Sequence, residues 1–175
     1  MTYSVNDTVL YGAEGVCRVA EIIQRDFGSG TVDYYVLRPV YNENSTIFVP
    51  VNNPALTDKI RRVLSADEIR EIIRSMPDED SIWYTDENER KEKFRQILAR
   101  GDRSELVGMI KALYQHQQRQ QAGGKHLHAA DERFFRDAEK MLYDEFALVL
   151  KIKPDQVLPL IMEQIQLERA DIQPQ

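Results

Sequence analysis

The 175-residue sequence has little of what disulfide and metal chemistry require. It contains one cysteine, Cys17, and three histidines, of which His126 and His128 are close together. A single cysteine excludes an internal disulfide, and a zinc site needs three or four clustered ligands. We therefore interpret Cys17 as a small packed side chain, and we expect no metal and no other cofactor.

Long apolar runs are also missing. No stretch approaches the roughly 20 apolar residues that cross a bilayer, and residues 1–7 lack the basic segment and apolar core of a signal peptide. A hydrophobic content of 42% with 30% charged residues is typical of a soluble folded protein. We therefore expect a cytoplasmic protein with no membrane partner.

The sequence has fewer basic than acidic residues, so its formal net charge is −6. Residues 1–58 hold seven acidic and three basic side chains. Binding to nucleic acid by charge alone needs clustered lysine and arginine. Any contact with DNA must therefore be local and assisted by another protein, and the partner of the amino-terminal region is expected to be a protein.

Catalytic motifs are missing as well. The sequence has no phosphate-binding glycine loop, no nucleophile elbow and no metal constellation. Neighbouring carboxylates such as Asp78 and Asp80 are typical of a solvated turn. The sequence therefore predicts a protein that is not an enzyme and has no small-molecule ligand.

Residues 1–58 carry the pattern of a small β-domain. Residues 9–22 alternate between apolar and polar side chains, apolar runs rich in β-branched and aromatic residues occupy residues 34–37 and 47–51, and a Gly-Ser-Gly turn lies between the first two of these ranges at residues 28–30. A few short strands bury one face most economically as a strongly bent barrel. We predict an α+β protein whose amino-terminal domain is a small β-barrel of four or five strands.

Residues 59–175 carry the period of helices, and we predict an all-α domain of four to five helices. Ser65 begins a capping box with Glu68, and a second helix is expected over residues 86–100 before Gly101. Pro154 suits the start of a last short helix, which Pro159 is expected to kink or shorten.

The glycine-containing turn after Leu10 and Tyr11, the alternation that follows it and the Phe-Val-Pro-Val segment at residues 48–51 resemble the CarD-like transcription regulators. The same amino-terminal module occurs in transcription-repair coupling factors. The resemblance implies a Tudor/SH3-like barrel that binds the β subunit of bacterial RNA polymerase. It further implies a helical domain that contacts promoter DNA at the upstream edge of the melted region and stabilises the open complex, so the protein is expected at the nucleoid.

The resemblance also implies site residues. Arg25 matches an arginine with which relatives contact polymerase, and Ile47 and Phe48 occupy the segment where relatives carry a second one. Trp83, the single tryptophan, matches a residue that acts as a wedge in the minor groove. The basic residues near it are candidates for contact with DNA phosphates: Arg90, Lys91 and Lys93.

Two alternatives remain open from the residues themselves. Trp83 can pack over Phe94 within the helical domain, since acidic residues on both sides of it repel phosphate. The basic residues that follow can pair with glutamates in the same helix. The helical domain would then bind another protein, and the chain would act as an adaptor docked on polymerase.

Overall fold

The computed structural model describes residues 2–172 of the chain, with side chains for residues 2–164. The fold is α+β, as predicted. The chain divides into two compact units between Val63 and Leu64, the first built on an antiparallel sheet and the second on helices. The end of the predicted helical domain, residues 173–175, lies outside the described residues.

The sheet of the first unit has five antiparallel strands in the order β4-β3-β2-β1-β5. The β2–β3 hairpin turns at Gly28 and Gly30, whose positive φ angles of 103° and 96° favour glycine. The Asp26 carboxylate accepts hydrogen bonds from both glycine amides. The strands are β1 (Thr8–Tyr11), β2 (Val16–Asp26), β3 (Thr31–Pro39), β4 (Ile47–Pro50) and β5 (Ile60–Arg62).

The expectation of a barrel is corrected by the structure. A bulge between Val19 and Glu21 bends the long β2–β3 ladder. However, no ladder joins β4 to β5 within residues 2–172, so the sheet stays open. Since β4 has four residues and β5 has three, little backbone is available for a closing ladder.

The last strand lies beyond residue 58, where the helical domain was predicted to begin. Ile60 in β5 pairs with Tyr11 and is buried. The three residues of β5 are too few to show alternation, which explains why the sequence did not reveal it. A one-turn helix that was not predicted, α1 (Pro54–Thr57), precedes β5, and within residues 2–172 the α-helices number six, five of them in the region for which four to five were predicted.

The core of the first unit lies on one face of the sheet. Cys17 is fully buried there, which confirms its interpretation as a packed side chain. Tyr3 closes the core because its hydroxyl donates to the Ile60 carbonyl at 3.0 Å. The buried members are Tyr3, Val9, Cys17, Val19, Tyr35, Leu37, Val49 and Ile60.

Within the described residues, five α-helices form the second unit, and the starts of α2 and α3 follow the predicted signals. Ser65 and Glu68 make a reciprocal capping box. Asp86 and Asp102 cap the next two helices, and Gly101 ends the first of these in the left-handed region. The helices are α2 (Ala66–Ser75), α3 (Glu87–Arg100), α4 (Arg103–Ala122), α5 (Ala129–Leu150) and α6 (Val157–Ile172).

The expectation for the last helix was wrong, because α6 is long and Pro159 does not shorten it. Pro159 is the third residue of α6, where its missing amide would have had no partner within the helix. Among residues 2–172, no helix is both long and apolar enough to cross a membrane.

Candidate functional site

The first candidate site is the face of the sheet that points away from the core, which we call the outer face. Side chains alternate between the two faces along a strand, and directly paired residues share a face. Tyr35 and Leu37 of β3 belong to the core, so their neighbours in β3 lie on the outer face. Through the strand register, that face carries Arg18, Glu21, Ile23, Arg25, Val32, Tyr34, Val36, Arg38, Phe48 and Pro50.

Arg25 and Phe48 both lie on the outer face. Arg25 is exposed and pairs with Val32, while Phe48 pairs with Val36 and is 47% exposed. Ile47 faces the opposite way, because it pairs with Leu37 and packs against the core. The structure thus brings two of the three sequence-predicted docking residues onto one surface and gives the Ile47 side chain a packing role.

An aromatic cluster lies between these two residues on the outer face. The Phe27 ring is 64% exposed and makes edge contacts with Tyr34 and Phe48, at centroid distances of 5.1 and 6.1 Å. Within the described residues, β4 pairs only with β3 and leaves one edge open. Exposed aromatic rings beside an open strand edge are typical of surfaces that bind another protein.

The second candidate site is the loop of residues 79–85, which carries Trp83 and lies along α4. A Cβ atom on Gly108 would be only 2.8 Å from the Asp80 carbonyl oxygen, so glycine allows the close approach. The Lys111 ammonium donates to the Met76 carbonyl at 2.9 Å and also to the Glu79 carbonyl. These contacts place the loop backbone firmly against the helix.

Trp83 is half-buried by packing from three sides. Its ring stacks on His116 at a centroid distance of 3.9 Å and makes an edge contact with Phe94 at 6.4 Å. The Arg90 guanidinium carbon lies 4.6 Å from the ring centroid, in a cation–π arrangement. The predicted packing against Phe94 is therefore present, while part of the indole and the neighbouring Ile82 stay exposed.

Arg90 is the organising residue of this site. It is 5% exposed, and two of its nitrogens donate to the Asp131 carboxylate at 2.9 Å each. A third donates to the Tyr84 carbonyl at 3.0 Å. Arg90 therefore joins α3, α5 and the backbone next to Trp83, and its guanidinium is enclosed by these partners rather than presented to a ligand.

The two lysines differ from Arg90. Lys91 is partly exposed and pairs with Glu87 at 2.9 Å, one helical turn away. Lys93 is exposed, and no ion pair is found for it among the side chains of residues 2–164. Of the three predicted phosphate contacts, Lys93 is the side chain most accessible to a ligand.

The environment of His116 disfavours its charged form. Burial lowers the pKa of the imidazole below its ordinary value, the nearby Asp131 carboxylate opposes this shift, and Arg90 adds to it. The ring also forms a hydrogen bond with Gln120 at 3.2 Å. The lowered pKa favours the neutral imidazole at neutral pH in the stack on Trp83.

Sequence reasoning missed four residues of this site. Asp131 and His116 are far from Trp83 in the chain, and no spacing connects them to it. Gly108 and Lys111 lie on α4, where their position toward the loop is decided by tertiary packing. Within the described residues, no group of three His, Cys, Asp or Glu side chains is arranged to hold a metal ion.

Comparison with known families supports the sequence resemblance. Residues 3–64 match the family model described as the CarD-like/TRCF RID domain. No curated protein gives a significant match to the chain. The match covers the sheet, the outer face and Arg25, Ile47 and Phe48. Residues 3–64 are therefore similar to the CarD-like/TRCF RID domain, and this similarity covers the amino-terminal unit of the chain.

Proposed function

We propose that this protein is a bacterial transcription regulator that binds the RNA polymerase β subunit through the outer face of its sheet. The observation that carries the proposal is the family match over residues 3–64 together with Arg25 and Phe48 on one exposed surface. The family is described by its RNA-polymerase-interacting domain, and the aromatic cluster supplies apolar area for such a contact.

The second unit contacts promoter DNA in this proposal. The exposed part of Trp83 lies against a partly unstacked base step at the upstream edge of the melted region, and Lys93 approaches a phosphate. Arg90, His116 and Phe94 hold the indole in place, so that little side-chain entropy is lost on binding. In our proposal Arg90 positions the Trp83 ring. Lys91 contributes when its ammonium group leaves the Glu87 carboxylate and pairs with a DNA phosphate instead.

In the proposed mechanism, binding of this protein to the promoter complex is thermodynamically coupled to melting of the promoter DNA. A protein that binds the open complex more tightly than the closed complex shifts the equilibrium by the difference in affinity. Docking on polymerase raises the local concentration of the second unit near DNA, so a weak contact is sufficient. An acidic protein can therefore act at DNA without strong binding of its own, and no catalytic step is involved.

Binding of the full chain to an isolated polymerase β lobe tests the docking step. We expect the Arg25→Glu variant to bind at least about tenfold more weakly than wild type, because a positive charge in the contact becomes negative. Lys59→Glu makes the same charge change in the same unit, at an exposed position outside the strands, and should bind like wild type. Absence of binding by the wild-type chain would refute the proposed partner.

A second candidate function is an adaptor whose helical unit binds another protein. The flanking sequence of Trp83 favours this candidate, since Asp78, Glu79 and Asp80 precede it and Asp86 and Glu87 follow it. Cross-linking of promoter DNA in the polymerase complex separates the two functions. Cross-links to residues around Trp83 support DNA binding, whereas their absence in a complex that contains the protein supports the adaptor.

A further inference from the structure

Two arginines lie directly opposite each other on the outer face. Arg18 of β2 pairs with Arg38 of β3 in the antiparallel register, and both side chains are exposed. Directly opposed residues in a sheet have Cβ atoms about 5 Å apart, and like charges in that arrangement destabilise the sheet. The free protein therefore carries an unfavourable charge pair at this position.

Within the described side chains, this pair of charges has no ion-pair partner. No hydrogen bond or ion pair is found for the guanidinium of Arg18 or Arg38 among the side chains of residues 2–164. Three exposed arginines of the helical unit, Arg70, Arg74 and Arg100, by contrast each contact a carboxylate at 2.9 Å or less. The two sheet arginines are thus available to an external anion.

The distribution of charge points in the same direction. The three basic residues of residues 1–58 are Arg18, Arg25 and Arg38, and all three lie on the outer face. Of the seven acidic residues in the same range, Glu21 is the one that the strand register places there. The outer face therefore carries these three arginines against one carboxylate, and this excess of positive charge complements an acidic partner surface.

The arginine pair is continuous with the proposed docking surface. Arg38 is two residues from Val36 along β3, a distance of about 7 Å, and Val36 pairs with Phe48. We propose that Arg18 and Arg38 together bind a carboxylate side chain of the polymerase β subunit, next to the apolar contact of Phe48. This inference rests on the proposed function and adds a specificity determinant to it.

A protein carboxylate fits this site better than a nucleic-acid phosphate. A guanidinium pairs with a carboxylate through two parallel hydrogen bonds, and two arginines side by side can hold one carboxylate from both sides. On the outer face the register borders the pair with Val36 and Phe48 as well as with the polar residues Thr8 and Glu21, a mixture that is typical of protein interfaces. Binding along a phosphate backbone would instead need a longer series of basic residues.

Substitution of both arginines by glutamine tests the inference in the full chain. The Arg18→Gln/Arg38→Gln variant should bind the isolated β lobe at least about tenfold more weakly than wild type. Its affinity should also depend less on NaCl concentration, because fewer charges are paired on binding. The melting temperature should stay equal or rise, since the opposed charges have been removed. Lys59→Gln is the matched control and should change none of these quantities.

The outcomes separate this inference from the function on which it rests. Wild-type affinity in the double variant, with wild type binding the lobe, would overturn the arginine contact and leave the docking proposal intact. No binding by wild type would overturn both. A lowered melting temperature would assign the arginines a structural role. Loss of duplex-DNA binding with retained lobe binding would show that the pair binds phosphate instead.

Discussion

At the scale of single residues, burial separates side chains that look alike in the sequence. Arg90, Lys91 and Lys93 lie in one charged run, yet Arg90 is enclosed and Lys93 is exposed. The helical spacing does predict the burial of Arg90. It precedes Phe94 and Ile97 by four and seven residues, so it lies on the same buried face of α3. Its carboxylate partner, Asp131, is 41 residues away and could not be predicted from spacing.

Removal of the Arg90 side chain should destabilise the protein strongly. Arg90→Met leaves the Asp131 carboxylate buried without its partner, a change that typically costs about 3–5 kcal/mol. The measurement is the free energy of unfolding in urea. The Arg90→Met/Asp131→Leu double variant should lose less than the sum of the two single variants, because it leaves no unpaired buried charge. Additive losses would contradict the account of this pair.

The protonation of His116 should make stability depend on pH. The folded state lowers the pKa of this imidazole below its ordinary value of 6.5, so the unfolded chain takes up a proton first as the pH falls. Stability should therefore decrease as the pH falls below about 6.5, and the decrease should level off below the folded pKa.

Melting temperatures between pH 5 and 7.5 measure this effect. The His116→Gln variant should lose part of the dependence, while the exposed residue His126 provides a control in which His126→Gln keeps the wild-type profile. Identical profiles for wild type and His116→Gln would mean that the stacked imidazole does not govern the pH response in this range.

At the scale of elements, patterns of neighbouring residues predicted where helices begin, but they did not predict whether the sheet closes into a barrel. The caps at Ser65, Asp86 and Asp102 depend on a few neighbouring residues, and the first two begin helices where helices were predicted. Strand β5 and the open edge of β4 depend on pairing between distant segments, which local patterns do not encode. The close approach of the Trp83 loop to α4 likewise follows from packing.

Gly108→Ala should displace the loop that carries Trp83. The added Cβ would lie 2.8 Å from the Asp80 carbonyl oxygen, so the loop backbone must move. Alanine favours the helix over glycine by about 1 kcal/mol, and this gain offsets part of the cost of displacing the loop. The free energy of unfolding should therefore change little. We expect a red shift of tryptophan emission, because the indole loses part of its stacking on His116.

Gly123→Ala is the control for this experiment. Its Cβ would meet the nearest atom at 3.6 Å, an ordinary contact, and the emission spectrum should match that of wild type. An unchanged spectrum in Gly108→Ala would show that the loop adapts without moving Trp83.

At the scale of the whole molecule, we propose that the first unit docks on RNA polymerase and that the second unit contacts promoter DNA. Both roles were expected from the family resemblance, and the family match covers residues 3–64, the part that contains the proposed docking surface. Residues of the Trp83 site lie outside that range, so their role depends on physical argument from packing and exposure. The two assignments can therefore be tested by variants in different units.

The lifetime of the promoter open complex tests the central claim most directly. Wild-type protein should lengthen this lifetime, with about a tenfold increase for each 1.4 kcal/mol by which it stabilises the open complex relative to the transition state for its collapse. Trp83→Ala should bind polymerase normally and lose most of the effect, whereas Arg25→Glu should lose both. Lifetimes that stay unchanged on several promoters when wild-type protein is bound to polymerase would contradict the account.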